Sequence, residues 1–318
     1  MKQNNVTQLN TDESMPFNEV MRRLKYIKDE YSLSQNQISK QSGVNRGALS
    51  TFLKGVYQGD NQAVADRLTR WMDSVERHKE TDLPVTPGFT PTKTSKRITT
   101  GLHYAQMEED LVLIYGAAGV GKTITLQHHT KNNPNVYLTT ITPATSGISG
   151  SLEEIAACLK VARHQRVRAL YRDICEKLSD TKGLLIIDEA QHLTAKALDQ
   201  IRSIYDAVGI GLVLAGNETV FSRMGGGRAA YLDRLYSRVG MKIHLDKASD
   251  EDVEILCESW GIKSKDIIQA LKHIGSKPGG LRVVTKTIRI ANLTSKGAEI
   301  GMNISHIHTA CRHLGIDG

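Results

Sequence analysis

LVLIY (111–115) runs without a break into GAAGVGKTITLQHHTK (116–131), and this stretch decides the fold. Its first five residues are continuously apolar, the pattern of a parallel strand buried on both faces. ITLQHHTK (124–131) reads as a helix. Between the two, Gly116, Ala117, Ala118, Gly119, Val120, Gly121, Lys122 and Thr123 complete the pattern G-x-x-x-x-G-K-[ST]. Small residues there let successive backbone N–H groups turn inward around phosphates, and the helix N-terminus adds its partial positive charge. Lys122 would reach the β- and γ-phosphates of ATP, and Thr123 would offer its hydroxyl to Mg²⁺. A glycine-rich turn without a ligand is the bland alternative, and the strand before and helix after tell against it.

Further apolar runs follow: VYLTTI (136–141), LLIID (184–188), GLVLAG (211–216) and MKIHL (241–245), with amphipathic helices between them. The pattern predicts an α/β core with a parallel sheet covered on both faces. LLIIDEA (184–190) ends its strand on two adjacent carboxylates, the form of a Walker B site. Asp188 would hold Mg²⁺, and Glu189 would polarise the attacking water. Alone, such a pair would more simply open a helix. After Leu245 the strands cease, and helical segments near 250–260, 264–275, 280–295 and 303–314 predict an all-helical C-terminal lid.

The N-terminal part reads differently. Residues 1–16 are polar and aperiodic, a flexible arm. Residues 17–79 are helical in pattern and include SLSQNQISKQSGVNRGALSTFLKGVYQGD (32–60). There Ser34 can cap a short helix, Gly43 can make the turn, and Asn45 can cap a second helix, as in a helix-turn-helix domain. Ile38, Val44, Leu49 and Phe52 would pack between the two. Asn45, Arg46, Ser50 and Lys54 would then face outward, as small polar and cationic residues do in a major groove. A helical adaptor for a protein partner fits the same pattern. Gly47 costs that second helix about 1 kcal/mol of propensity. A proline- and threonine-rich stretch, 80–97, reads as the linker to an ATPase core over 98–246 and the lid over 247–318.

Composition narrows the partners. Lys+Arg outnumber Asp+Glu by 41 to 34, a net +7 that favours a polyanion such as DNA. LKVARHQRVRALYRD (159–173) concentrates Lys160, Arg163, Arg166, Arg168 and Arg172, enough to track phosphates, or simply a solvated face. The loop TPATSGISGS (142–151) is an equal candidate. Aromatics, at 5%, are too few for a base-stacking platform. No stretch is apolar enough for a membrane span or a signal sequence, and the dispersed cysteines read as reduced thiols, so a cytoplasmic protein with no membrane partner is expected. HIHTACRH (306–313) gathers histidines and a cysteine, but helical spacing spreads them over more than one face, which tells against a metal site.

The order of motifs resembles that of AAA+ ATPases. In that family a polar residue ending the strand after Walker B is sensor 1, here Asn217 of LVLAGN. LDRLYSRVG (232–240) resembles the arginine-finger segment, which reaches the γ-phosphate held by a neighbouring subunit; Arg238 matches best by position and Arg234 second. PGGLR (278–282) resembles sensor 2, with Arg282 touching the nucleotide of its own chain. Each arginine could equally be a surface ion-pair partner. Nearly the whole chain resembles the Mu B-type transposition proteins, through SGVNRGALSTFLKGVYQGDN, GAAGVGKT, GLLIIDEAQHL, GIGLVLAGN, RLYSRV and KPGGLR. That resemblance implies ATP-bound homo-oligomers that coat double-stranded target DNA with little sequence preference, as helical filaments, and recruit and activate a DDE-type transposase, hydrolysis releasing them. An ATP-gated helix-turn-helix transcription factor or an AAA+ helicase loader would share much of the pattern. The first would protect a short, palindromic site, and the second would need a helicase partner.

Overall fold

The computed structural model describes residues 14–80, 87–162, 166–218, 237–295 and 301–316. It divides into two compact units, Met1–Leu83 and Pro84–Gly318.

The first unit is helical: α1 (Ser14–Glu30), α2 (Gln35–Ser42), α3 (Arg46–Leu53) and α4 (Asn61–Glu80). The arm expected over 1–16 gives way to helix at Ser14. Ser34 and Gln37 form a reciprocal capping box at the start of α2, satisfying two otherwise orphaned backbone donors. Gly43 ends α2 at φ 70°, where a side chain would be strained. Asn45 Oδ1 then accepts from the Gly47 N–H at 2.8 Å, opening α3. Gly47 thus sits in a capped first turn, and a Cβ there would press on that same Asn45 oxygen at 3.3 Å. Its propensity cost is offset by the cap. Ile38, Val44, Leu49 and Phe52 are buried with Leu24, Ile27, Leu68 and Met72 in one core.

The second unit is built on five parallel strands: β1 (Leu111–Gly116), β2 (Val136–Thr140), β3 (Leu184–Asp188), β4 (Gly211–Gly216) and β5 (Val239–Leu245). Their order across the sheet is β2-β3-β4-β1-β5. Alternation along β1 feeds two cores. Leu111 and Leu113 pack on one face against α7 (Ile148–Leu159), α8 (Val167–Leu178) and α9 (Ala195–Val208). Val112 and Ile114 pack on the other face with Ile98, Leu102 and Leu126, from α5 (Lys93–Met107) and α6 (Lys122–Asn132).

The linker expected over 80–97 needs correction at its C-terminal end. Thr92 caps α5, its hydroxyl accepting from the Ser95 N–H at 3.1 Å, so residues 93–97 are already helix. Their polar side chains hid the first turn, because the apolar period that pins this helix begins only at Ile98.

Four helices follow the sheet: α10 (Asp250–Ser259), α11 (Lys265–Gly275), α12 (Gly280–Ser295) and α13 (Ile304–Leu314). They bury their own core, with Val253, Cys257, Leu271, Val284 and Ile288 at its centre. This lid is tied to the start of α5 by Asp252, which accepts from the Thr94 N–H at 3.0 Å and the Thr94 hydroxyl at 2.6 Å. Burial alone would raise the Asp252 pKa, but the bonds from Thr94 and Ser249 outweigh it and hold the carboxyl below its usual value. Among the described residues no helix is long and apolar enough to cross a membrane.

Candidate active site

The phosphate loop springs from β1 and enters α6. Gly119 lies at φ 80°, and a Cβ there would fall 1.9 Å from the Gly279 carbonyl oxygen. Only a glycine permits that approach, so the loop and the glycine pair opening α12 touch backbone to backbone. Lys122 Nζ donates to the carbonyls of Gly116 at 2.8 Å and Ala117 at 2.7 Å. Burial lowers its pKa, while the carboxylates of Asp188 and Glu189 work the other way.

Thr123 follows, and its hydroxyl donates to Asp188 Oδ2 at 2.7 Å. Asp188 is 1% exposed, and its other oxygen accepts from the Glu189 N–H at 2.9 Å. Burial raises its pKa against the pull of those two bonds. A half-buried hydroxyl and a buried carboxylate side by side form an oxygen donor set suited to a small hard cation, whose charge would favour the ionised carboxylate. Thr123 and Asp188 therefore fit Mg²⁺.

Glu189 leaves the strand in the left-handed region, at φ 55°, which costs a residue with a side chain about 1–2 kcal/mol. The kink ends the strand and opens a short turn, Ala190–His192. Gln191 in that turn donates from Nε2 to Glu189 Oε2, and its Oε1 accepts from the Asn217 N–H at 3.3 Å. The sequence reading passed over Gln191, although it connects Glu189 to Asn217. Its only signal was an amide two residues after the carboxylate pair.

Lys122, Thr123, Glu189, Gln191 and Asn217 line one pocket, with Ala118, Gly119 and Arg282. Arg282 comes from the first turn of α12, and Lys286 and Arg289, one and two turns on, line the same pocket. Phe89, Thr90, Ile124, Leu256 and Trp260 line it as well. The Phe89 ring stacks on His128 with centroids 3.8 Å apart and planes 12° apart. A lining that combines cations with apolar and aromatic side chains suits a triphosphate and its base. The apolar wall was missed because Pro87–Thr92 carries no period and reads as linker.

Arg238 lies elsewhere. It immediately precedes β5, whose Val239 pairs with Leu111, whereas Leu245 pairs with Gly116. The length of a strand, roughly 20 Å at 3.3 Å per residue, separates it from its own phosphate loop. There its Nε donates to Asp206 Oδ1 at 2.7 Å. Arg234 falls outside the described residues.

Of the candidate DNA contacts, Asn45, Arg46 and Lys54 are exposed at the two ends of α3, and Ser50 is half-buried on it. The basic run 159–173 is not one helix face. Lys160 closes α7 in the left-handed region at φ 58°, and Arg166 caps α8. Arg166, Arg168 and Arg172 are exposed, while Leu170, Ile174 and Leu178 hold α8 to the core. Arg163 falls outside the described residues.

The strand order, the phosphate loop, the paired carboxylates and the lid define a P-loop ATPase of the AAA class. Residues 105–224 match the family model of an AAA domain, and residues 237–314 match that of the Mu B transposition protein, C terminal. The chain is 33% identical over 305 residues to the ATP-dependent target DNA activator B of Escherichia phage Mu, across 95% of this chain and 97% of that one. It is 34% identical over 277 residues to the Mu-like prophage FluMu DNA transposition protein B of Haemophilus influenzae, across 86% of this chain and 96% of that one. The chain belongs to the Mu B transposition protein family. Among solved structures, the Aeropyrum pernix ORC1 protein in complex with DNA matches with a TM-score of 0.51 over 73% of this chain and 66% of that one. At 16% identity that likeness concerns the fold alone.

Proposed function

We propose that this ATPase binds double-stranded target DNA in its ATP-bound state, assembles there as a homo-oligomer, and presents the DNA to a DDE-type transposase, hydrolysis releasing it. The kinship to target DNA activators supports the DNA and transposition parts. The observation that carries the oligomer is the division of the site: Lys122, Thr123, Glu189 and Arg282 line one pocket, with Asp188 bonded to Thr123, while Arg238 stands at the opposite end of the strands. An arginine so placed can serve only the pocket of another copy. Lys122 and Arg282 neutralise the triphosphate, Glu189 takes the proton from the attacking water, and Asn217 helps hold that water. Thr123 and Asp188 would hold Mg²⁺, which would supply charge neutralisation to the bound triphosphate. Exposed cations on α3 and α8 meet the DNA backbone.

The test is co-sedimentation and negative-stain imaging of the chain with random-sequence duplex DNA, Mg²⁺ and ATP or ADP. Protein should pellet with DNA in ATP only, lose it steeply as salt rises, and show continuous coating. A short, sequence-specific footprint that persists in ADP would overturn the reading in favour of a transcription factor.

A further inference from the structure

Toward the end of the strands away from the phosphate loop, four charged side chains form a line: Asp199, Arg202, Asp206 and Arg238. Arg202 donates from Nε to Asp199 Oδ1 at 2.9 Å, and from an outer nitrogen to Asp206 Oδ2. Asp206 Oδ1 accepts from Arg238 Nε at 2.7 Å. Both oxygens of Asp206 are therefore engaged by guanidinium groups, one on its own helix and one on the strand entry opposite. That helix, α9, begins just beyond the turn that carries Glu189 and Gln191, and Leu198, Ile201 and Ile204 fasten it to the sheet. Its 14 residues extend about 21 Å at 1.5 Å per residue, enough to run from the nucleotide end of the sheet to Arg238.

An exposed ion pair adds little to stability, but it can direct a side chain. Arginine is long and flexible, and a carboxylate bound at Nε fixes the plane of the guanidinium, leaving one outer nitrogen on the carboxylate's side and directing the other away from it. Arg202 in turn holds Asp206 in place, so the direction is set by a braced helix rather than by a loop.

We propose that Asp206 is a positioning residue, aiming Arg238 at the γ-phosphate bound by a neighbouring copy of this chain. The inference rests on the reading of Arg238 as a finger acting in trans. Asp206 touches no nucleotide itself. Removing it leaves the finger present but poorly directed, which costs turnover and spares nucleotide affinity.

The experiment compares DNA-stimulated ATP turnover and ATP affinity in full-length Asp206→Asn, Asp206→Ala, Arg238→Ala and the double variant Asp206→Ala/Arg238→Ala. Arg238→Ala should lose roughly 10³-fold or more in turnover, and the Asp206 variants roughly 10- to 100-fold, the cost of a misplaced group. ATP affinity should stay at the wild-type value throughout. The double variant should be no slower than Arg238→Ala alone, because Asp206 acts only through that arginine. Asp206→Asn mixed with Glu189→Gln should regain turnover, since the second protein still binds ATP and DNA and brings an intact Asp206–Arg238 pair to the first one's pocket. Wild-type turnover in Arg238→Ala would remove the finger, and this inference with it. A slow Arg238→Ala beside normal Asp206 variants would leave the finger standing and overturn the role of Asp206. So would an additive double variant, or loss of ATP affinity in Asp206→Asn.

Discussion

Lys122 is a half-buried cation whose ammonium rests on two loop carbonyls; burial lowers its pKa, and the carboxylates of Asp188 and Glu189 oppose that. Phosphate oxygens would take over from those carbonyls, so Lys122→Ala should abolish measurable binding of a fluorescent ATP analogue and DNA association with it. Glu189 does a different job. Glu189→Gln should bind that analogue normally, slow turnover by roughly 10²- to 10⁴-fold, and stay longer on DNA in ATP; wild-type turnover would move the base elsewhere. A third residue ties the same helix to pH. His129 is 3% exposed on α6, with Asn133 Nδ2 3.2 Å from its Nδ1 and the His103 ring edge-on at 4.9 Å. Burial, then His103 and His128, push its pKa down from 6.5 to about 4. The unfolded chain takes up a proton that the folded one refuses across that window. Stability is therefore full above pH 6.5 and falls as pH drops toward 4, by about 3 kcal/mol at most. Urea midpoints of wild type and His129→Gln should converge or cross between pH 7 and 5. At this scale the sequence was most readable where chemistry is local. Gly116–Thr123 and Asp188–Glu189 are dictated by neighbours in the chain, whereas Gln191 acquires its role only when β4 brings Asn217 beside it.

Among the elements, the contact between the phosphate loop and the start of α12 is the least forgiving. Gly119 and Gly279 meet without side chains, and the lid bearing Arg282 is seated by that meeting. Gly119→Ala adds a methyl into the Gly279 carbonyl at φ 80°. It should push the lid outward and weaken nucleotide binding by roughly tenfold or more, about 1.4 kcal/mol, with little change in the thermal stability of the first unit. The five strands and the four lid helices were legible because each carries its own apolar pattern, continuous for inner strands such as β1, β3 and β4, alternating for the edge strand β5, and 3.6-periodic for helices. The wall around Phe89 was not. Pro87–Thr92 is held by what it packs against, and nothing in its own composition announces that.

For the whole molecule, the division into Met1–Leu83 and Pro84–Gly318 gives two bodies with separate cores. A chain lacking residues 1–83 should bind nucleotide and self-associate as the full chain does while holding DNA more weakly; failure to bind nucleotide would show that the second unit leans on the first. The placement of Arg238 at the far end of β5 has a consequence that appears only when copies are counted. If Arg238 is the finger proposed above, a chain with a pocket at one end of its sheet and a finger at the other would join its neighbours head to tail, and such a row has two unlike ends. An open row then holds one fewer completed pockets than it has members, because the last pocket faces solvent. Turnover per chain should rise with row length and level off, and the terminal member should keep its ATP longest. A row would thus age from within while its exposed cap stays charged, and severing it would create one new idle pocket at every cut.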